Sequence, residues 1–129
     1  MRVPIALLLH ETSDGGSHFD VLIATTDAPI ADDDRTVRAF RVGERPDRLA
    51  AGTSIALEEL PAHRGLYLRL ERAVDLSDGR GRVTPLRRGT GDFRCDGAAL
   101  VISACWAGDA STTWTIRPAE GTRWQLEVA

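Results

Sequence analysis

Two of the chain's three histidines, His10 and His18, frame a polar loop, and Asp20 follows the second at a spacing of two. Residues two apart on an extended strand point to the same side, about 6 to 7 Å apart along it. In "HFDVLI" that groups His18, Asp20 and Leu22 on one face and Phe19, Val21 and Ile23 on the other, which reads as the core face. His10 ends the apolar run before it, and the seven-residue "ETSDGGS" with its glycine pair suits a wide hairpin loop. Antiparallel pairing then brings His10 beside His18. Two imidazoles and one carboxylate with positions left open suit a divalent transition metal such as manganese, iron or zinc. Such a metal can polarise a phosphoryl oxygen or activate water. A plainer arrangement uses the same residues: His10 caps a strand end, His18 faces solvent, and Asp20 accepts loop amides.

The third histidine opens "HRGLYLRLER", with Tyr67 four residues after His63. Pro61 predicts a turn, so His63 stands at the mouth of a strand that Tyr67 begins. Alternation then gives Leu66, Leu68 and Leu70 to the core side and Tyr67, Arg69 and Glu71 to the other. An imidazolium and a phenol both make good donors to a phosphate oxygen. A rim histidine beside a tyrosine on a polar face is the alternative.

These residues need a scaffold, and the rest of the chain indicates a β one. Helical periodicity is confined to residues 47–60, interrupted by Gly52. Short apolar or alternating runs recur instead: "VPIALLL", "HFDVLIAT", "TVRAFRV", "TSIALEEL", "LYLRLERAV", "GRVTPLRRG", "ALVISACW", "TTWTIRP" and "RWQLEVA", separated by Gly, Asp and Pro breakers. Eight or nine strands in 129 residues predict an all-β fold, a small closed or partly closed barrel of about eight strands with little helix. Closure removes the exposed edges of a flat sheet. The length suits one domain over residues 1–129. "DAPIADDDR", polar and rich in like charge, reads as the flexible loop.

The longest apolar run, "IALLL", is too short to cross a bilayer. The net charge of -3 argues against a protein that coats nucleic acid non-specifically. All sixteen basic residues are arginine, and five of them (Arg80, Arg82, Arg87, Arg88, Arg94) fall within fifteen residues, which reads as a solvated face. Cys95 and Cys105 fit no zinc spacing and read as two reduced thiols of a cytoplasmic protein, with a single disulfide as the alternative.

With these residues laid out, the chain resembles the 3′-phosphoesterase domain of bacterial DNA ligase D and the small stand-alone proteins related to it. In that family a strand ends in a histidine, and a His-aromatic-Asp motif follows a loop, here "HFD". Later comes His-Arg-x-x-Tyr-Leu-x-x-Glu-Gly, here "HRGLYLRLER", then a Gly-rich turn and a Gly-Thr step, here "GRGRVTPLRRGTGDF". The final strands match "AGDASTTWTI" and "RWQLEV". The motifs occur in order, cover most of the chain and use all three histidines.

The resemblance implies a manganese-dependent β-barrel that trims the 3′ ends of DNA or of RNA-terminated primers in repair. It removes a terminal ribonucleoside, then the 3′-phosphate. By motif match His10, His18 and Asp20 are the metal ligands, with manganese first and zinc or another transition metal as alternatives. His63 and Tyr67 hold the phosphate and act as the catalytic residues. The implied partners are nucleic-acid 3′ ends or another phosphate ester and DNA-repair proteins, with the chain a monomer off the membrane. The sequence departs from the family in three places. Leu22 stands where the family has a phosphate-binding arginine, Leu8 replaces a polar residue, and Arg72 replaces a glycine. Arg64, Arg69 and Arg38 are the candidates to replace the missing arginine. A metal-binding barrel that binds nucleic-acid ends or a repair partner with little or no turnover is the second reading. A small-ligand barrel with incidental histidines is the third.

Overall fold

The computed structural model describes the backbone of residues 1–129 and every side chain except that of Asp78. Its strands are β1 (Arg2–Glu11), β2 (Ser17–Ile23), β3 (Arg35–Val42), β4 (Ser54–Arg64), β5 (Val74–Asp75), β6 (Arg82–Asp96), β7 (Ala99–Trp106), β8 (Thr112–Pro118) and β9 (Arg123–Val128). Eight of them form a closed antiparallel barrel in the ring order β1-β2-β3-β4-β9-β8-β7-β6, sealed by the pairing of β6 with β1. The two-residue β5 adds to β6 beyond the reach of β7. The barrel expected from the breaker spacing is therefore the architecture observed, and the helical pieces are 3-10 turns of three or four residues. No helix among the described residues is long and apolar enough to cross a membrane.

Registered partners share a face of the sheet, so the pairings trace two surfaces. One carries Ile5, Val21, Phe40, Leu57, Leu126, Ile116, Ile102 and Phe93, one from each strand of the ring and all buried. It closes on itself through Ile5 and Gly89, which makes it the barrel interior, filled by side chains as an eight-stranded barrel requires. The other surface points outward. On β8 and β9 it is polar, with Thr113, Thr115, Gln125 and Glu127.

On β1, β2 and β3 the outward surface is apolar and buried: Ala6, Leu8, Leu22, Val37 and Ala39 are at most 2% exposed. Two connections cover it, residues 24–34 and residues 65–81. A 3-10 turn at Gly65–Leu68 packs on β1 and β3. The amides of Gly65 and Leu66 donate to the carbonyls of Asp34 and Asp32 at 3.0 and 3.2 Å. The Arg69 guanidinium donates to the Ile30 carbonyl at 3.0 Å and pairs with Asp32 at 2.6 Å. Ile30, Tyr67, Leu68 and Leu76 supply the apolar cover. This is a second small core outside the barrel wall, where each large apolar side chain stabilises by roughly 1.5–3 kcal/mol.

That cover accounts for the first three of five differences from the sequence reading. "HFDVLI" buries both of its faces, because Leu22 faces the cover rather than solvent. "LYLRLERAV" does not form the expected strand. Gly65 approaches the backbone of Ala31 so closely that a Cβ would collide, the chain tightens into the 3-10 turn, and only Val74–Asp75 is extended. Leu68 is buried, and Tyr67 packs against the core instead of pointing away. Residues 27–35, expected to be flexible, are tied down by the bonds to residues 65–69. Pro61 makes no turn: β4 runs through it to Arg64. From Leu60 to His63 the chain takes three steps while β3 takes two from Ala39 to Val37, a bulge that tolerates the missing proline N–H. Residues 47–60 hold no α-helix, only the end of a 3-10 turn at Pro46–Arg48 before β4 begins.

In the arginine-rich stretch Arg80, Arg82, Arg88 and Arg94 are exposed, as the solvated-face reading expects, and Arg87 is the exception. Arg87 pairs with Asp109 at 2.9 Å and lies 3.4 Å from Asp47, which Arg45 also grips at 2.7 Å. Both cysteines are free, Cys95 exposed and Cys105 partly buried.

Candidate metal centre

The β1–β2 ladder places His10 directly opposite His18 and Leu8 opposite Asp20, all on the outward face beneath the cover. His10 Nδ1 and His18 Nε2 stand 3.1 Å apart, and His18 Nε2 stands 3.1 Å from Asp20 Oδ1. One ligand atom from each of the three residues fits within 4.8 Å of the others. Two ligands at right angles around a cation, each at about 2.2 Å, lie about 3.1 Å apart. The third pair, His10 Nδ1 and Asp20 Oδ2, is wider at 4.0 Å, and one cation could span the three.

The tautomers agree with that use. His10 Nε2 lies 3.0 Å from the carbonyl oxygen of Arg80, which can only accept, so Nε2 carries the proton and Nδ1 presents its lone pair. A carbonyl bonded to the far nitrogen is the usual device for orienting a ligating imidazole. Asp20 is 3% exposed, and its Oδ1 is buried with no hydrogen-bond partner among the described residues despite the nearby ring. With His10 Nδ1 as acceptor, the hydrogen bond between the two rings runs from His18 Nε2–H to His10 Nδ1 at 3.1 Å, and a cation would take the place of that proton. Burial pushes the His18 imidazole below its ordinary value, the Asp20 carboxylate opposes this, and the Arg41 guanidinium and the His10 ring add to the effect of burial. A neutral ring is the ligating form. The group could hold a metal ion.

His63 reaches the same carboxylate. Directly opposite Val37, which is buried on the outward face beneath the cover, and turned by the bulge at Pro61, it sets Nε2 3.9 Å from Asp20 Oδ2, while Nδ1 donates to the Pro61 carbonyl at 2.9 Å. Tyr67 meets the His63 ring edge-on at 5.8 Å between centroids, with the Arg64 guanidinium 5.6 Å over its own ring. The four polar groups His10, Asp20, His63 and Tyr67 line one cavity of about 280 Å³. Thus all five residues singled out in the sequence come to one place.

Four arginines also line that cavity: Arg35, Arg41, Arg64 and Arg80. Of the three proposed to replace the arginine lost at position 22, only Arg64 is among them. Arg38 points to the other face, paired with Glu59 at 2.7 Å and stacked 5.0 Å over Trp124. Arg69 is spent on Ile30 and Asp32. Sequence reasoning missed Arg41, which lies opposite Asp20 across the β2–β3 ladder. Alternation groups Arg35, Val37, Ala39 and Arg41, but only the register shows that this set shares a face with Asp20. Arg80 was also missed, because its contribution is a backbone carbonyl. Compared with known proteins, the chain matches no family model and no curated protein.

Proposed function

We propose that the chain is a metal-dependent phosphoesterase acting at the 3′ ends of DNA or of RNA-terminated primers, the 3′-ribonuclease and 3′-phosphatase type that its resemblance to the ligase D phosphoesterase domain implies. The buried, unpartnered Oδ1 of Asp20 between two imidazoles carries the reading. A charged oxygen left without a partner costs more than about 1–3 kcal/mol, and a cation at the imidazole lone pairs removes that cost. Two nitrogens and one oxygen suit a divalent transition metal; the resemblance puts manganese first, with zinc or another transition metal as alternatives.

A divalent cation held by His10, His18 and Asp20 supplies Lewis acidity toward a phosphoryl oxygen. The chain's own residues do the rest. His10 is kept in its ligating tautomer by Arg80. His63, anchored through Nδ1, turns Nε2 to the cavity, where its charged form donates to a phosphate oxygen. Tyr67 is a second donor on the same wall. Arg41 brings a permanent positive charge beside Asp20 and has no carboxylate within 4.0 Å among the described residues. The test is metal content of the purified protein together with phosphate release from a 3′-phosphorylated oligonucleotide in manganese. Both are expected, and both are expected to vanish in His18→Ala. Phosphate release that survives His18→Ala sinks the reading.

Leu22 favours a second reading, a metal-binding barrel that holds nucleic-acid ends or a repair partner without turnover. It is fully buried where the resembled family has a phosphate-binding arginine. On that reading DNA shifts in mobility while its ends stay intact.

A further inference from the structure

We propose that Arg35 and Arg64 form a second anion subsite at the edge of the cavity, which takes a phosphate other than the one at the His10–His18–Asp20 group. The ligand is then a phosphodiester-linked strand end rather than a small phosphomonoester. This rests on the phosphoesterase reading for the neighbouring site but not for its own test.

The two arginines are registered partners across the β3–β4 ladder. Directly opposed residues carry their Cβ atoms about 5 Å apart, and like charges there destabilise the pair. Arg64 finds partial relief over the Tyr67 ring, 5.6 Å from its guanidinium. Arg64 meets Asp33 at 3.2 Å, but the Asp33 side chain is 90% exposed, so the attraction is screened. Arg35 has no carboxylate within 4.0 Å among the described residues. Both line the cavity.

The backbone is irregular where it brings them there. After the extra residue in β4 between Leu60 and His63, β3 takes two steps from Val37 to Arg35 while β4 takes one from His63 to Arg64. Bulges re-aim side chains and bend strands beside functional sites. The second irregularity sets Arg64 opposite Arg35, although its neighbour His63 already occupies the cavity-facing position opposite Val37. A bound phosphate relieves the repulsion by accepting from both forks.

Arg35 lies six residues along β3 from Arg41, the arginine opposite Asp20. Six residues of extended chain rise about 20 Å. The Arg35–Arg64 pair thus lies beyond the Val37–His63 pair from the Arg41–Asp20 pair, so a strand with successive phosphates meets both ends of the cavity where one phosphate group meets one. The net charge of -3 argues against broad non-specific contact with a duplex and favours contact with the last few phosphates of a strand.

The experiment is fluorescence anisotropy with a labelled single strand of about ten nucleotides ending in a 3′-phosphate, and thymidine 3′-phosphate as competitor, for wild type, Arg35→Gln, Arg64→Gln and the double variant. The double variant is expected to lose about tenfold in strand affinity, to narrow the preference for the strand over the mononucleotide, and to flatten the slope of log affinity against log salt by about 0.7 per arginine. Its melting temperature at low salt, without ligand, is expected to hold or rise as the repulsion is removed. Unchanged strand affinity, an equal loss for strand and mononucleotide, or a marked fall in melting temperature overturns the subsite. Arginine-dependent strand binding without hydrolysis leaves the subsite standing and removes the phosphoesterase reading instead.

Discussion

His10 is held by Arg80 across seventy residues of sequence: its Nε2–H donates to the Arg80 carbonyl at 3.0 Å. Gly81 makes that contact attainable. Its φ of +104° is in the region that favours glycine, and a Cβ there would collide with the Glu11 carbonyl at the end of β1. Gly81→Ala is therefore expected to shift the Arg80 carbonyl and free the His10 ring. Loss of such an orienting partner typically costs about 10- to 100-fold in metal affinity. Calorimetric titration with manganese reads the effect, and near-ultraviolet circular dichroism reports whether the barrel persists. Unchanged affinity in a folded variant removes the carbonyl from the site's design.

Asp20→Asn separates holding a metal from holding the fold. The carboxylate is buried with one oxygen unpartnered, an arrangement that costs stability in the absence of a cation. The amide keeps the shape and removes the charge. The metal-free variant is expected to melt no lower than the metal-free wild type, and to lose the rise in melting temperature that manganese gives the wild type. A variant several degrees less stable shows instead that the carboxylate serves packing or pairing with His18 and His63.

The sequence made the barrel legible because breakers recur between short alternating runs and because "HFD" obeys strand alternation. It made the triad legible because the hairpin loop joins consecutive strands, so His10 and His18 pair locally. The cover over β1, β2 and β3 was not legible. Its seat depends on contacts between residues 24–34 and 65–81 that no local pattern announces, and "LYLRLERAV" has a strand's alternation although Gly65 forces a turn. Arg41 was illegible for a related reason. Alternation divides β3 into two sets, but only pairing with β2 selects the set that shares Asp20's face.

Burial sets the pH response of the metal-free protein. His18 titrates below its ordinary value of 6.5 in the folded chain. As pH falls through about 6.5 the unfolded chain gains the proton first, so stability is lost from there down to the folded value and is unaffected well above it. Wild type is expected to lose melting temperature relative to His18→Gln between about pH 7 and 5. Manganese uptake, which needs neutral rings, is expected to weaken in the same acid range. A wild-type-minus-variant difference that stays flat with pH contradicts the burial of His18, and flat manganese affinity contradicts its ligation.

Arg41 and Leu22 test how the site does without the arginine of the resembled family. Arg41 lines the cavity opposite Asp20, and on the phosphoesterase reading its charge meets the phosphoryl oxygens as negative charge builds. Arg41→Gln is then expected to lower kcat by roughly 10²–10³ with manganese affinity unchanged, the usual loss for one such donor. Leu22→Arg, the apparent restoration, is expected to fail. Leu22 is fully buried between β1 and β3 beneath the cover, so a guanidinium there must either break the cover or stay unpaired, at a cost of several kcal/mol. Stopped turnover in Arg41→Gln, with a lowered melting temperature in Leu22→Arg, means that the charge has moved to the neighbouring strand. A stable Leu22→Arg variant with faster phosphate release means that position 22 still governs the site and that Arg41 is incidental.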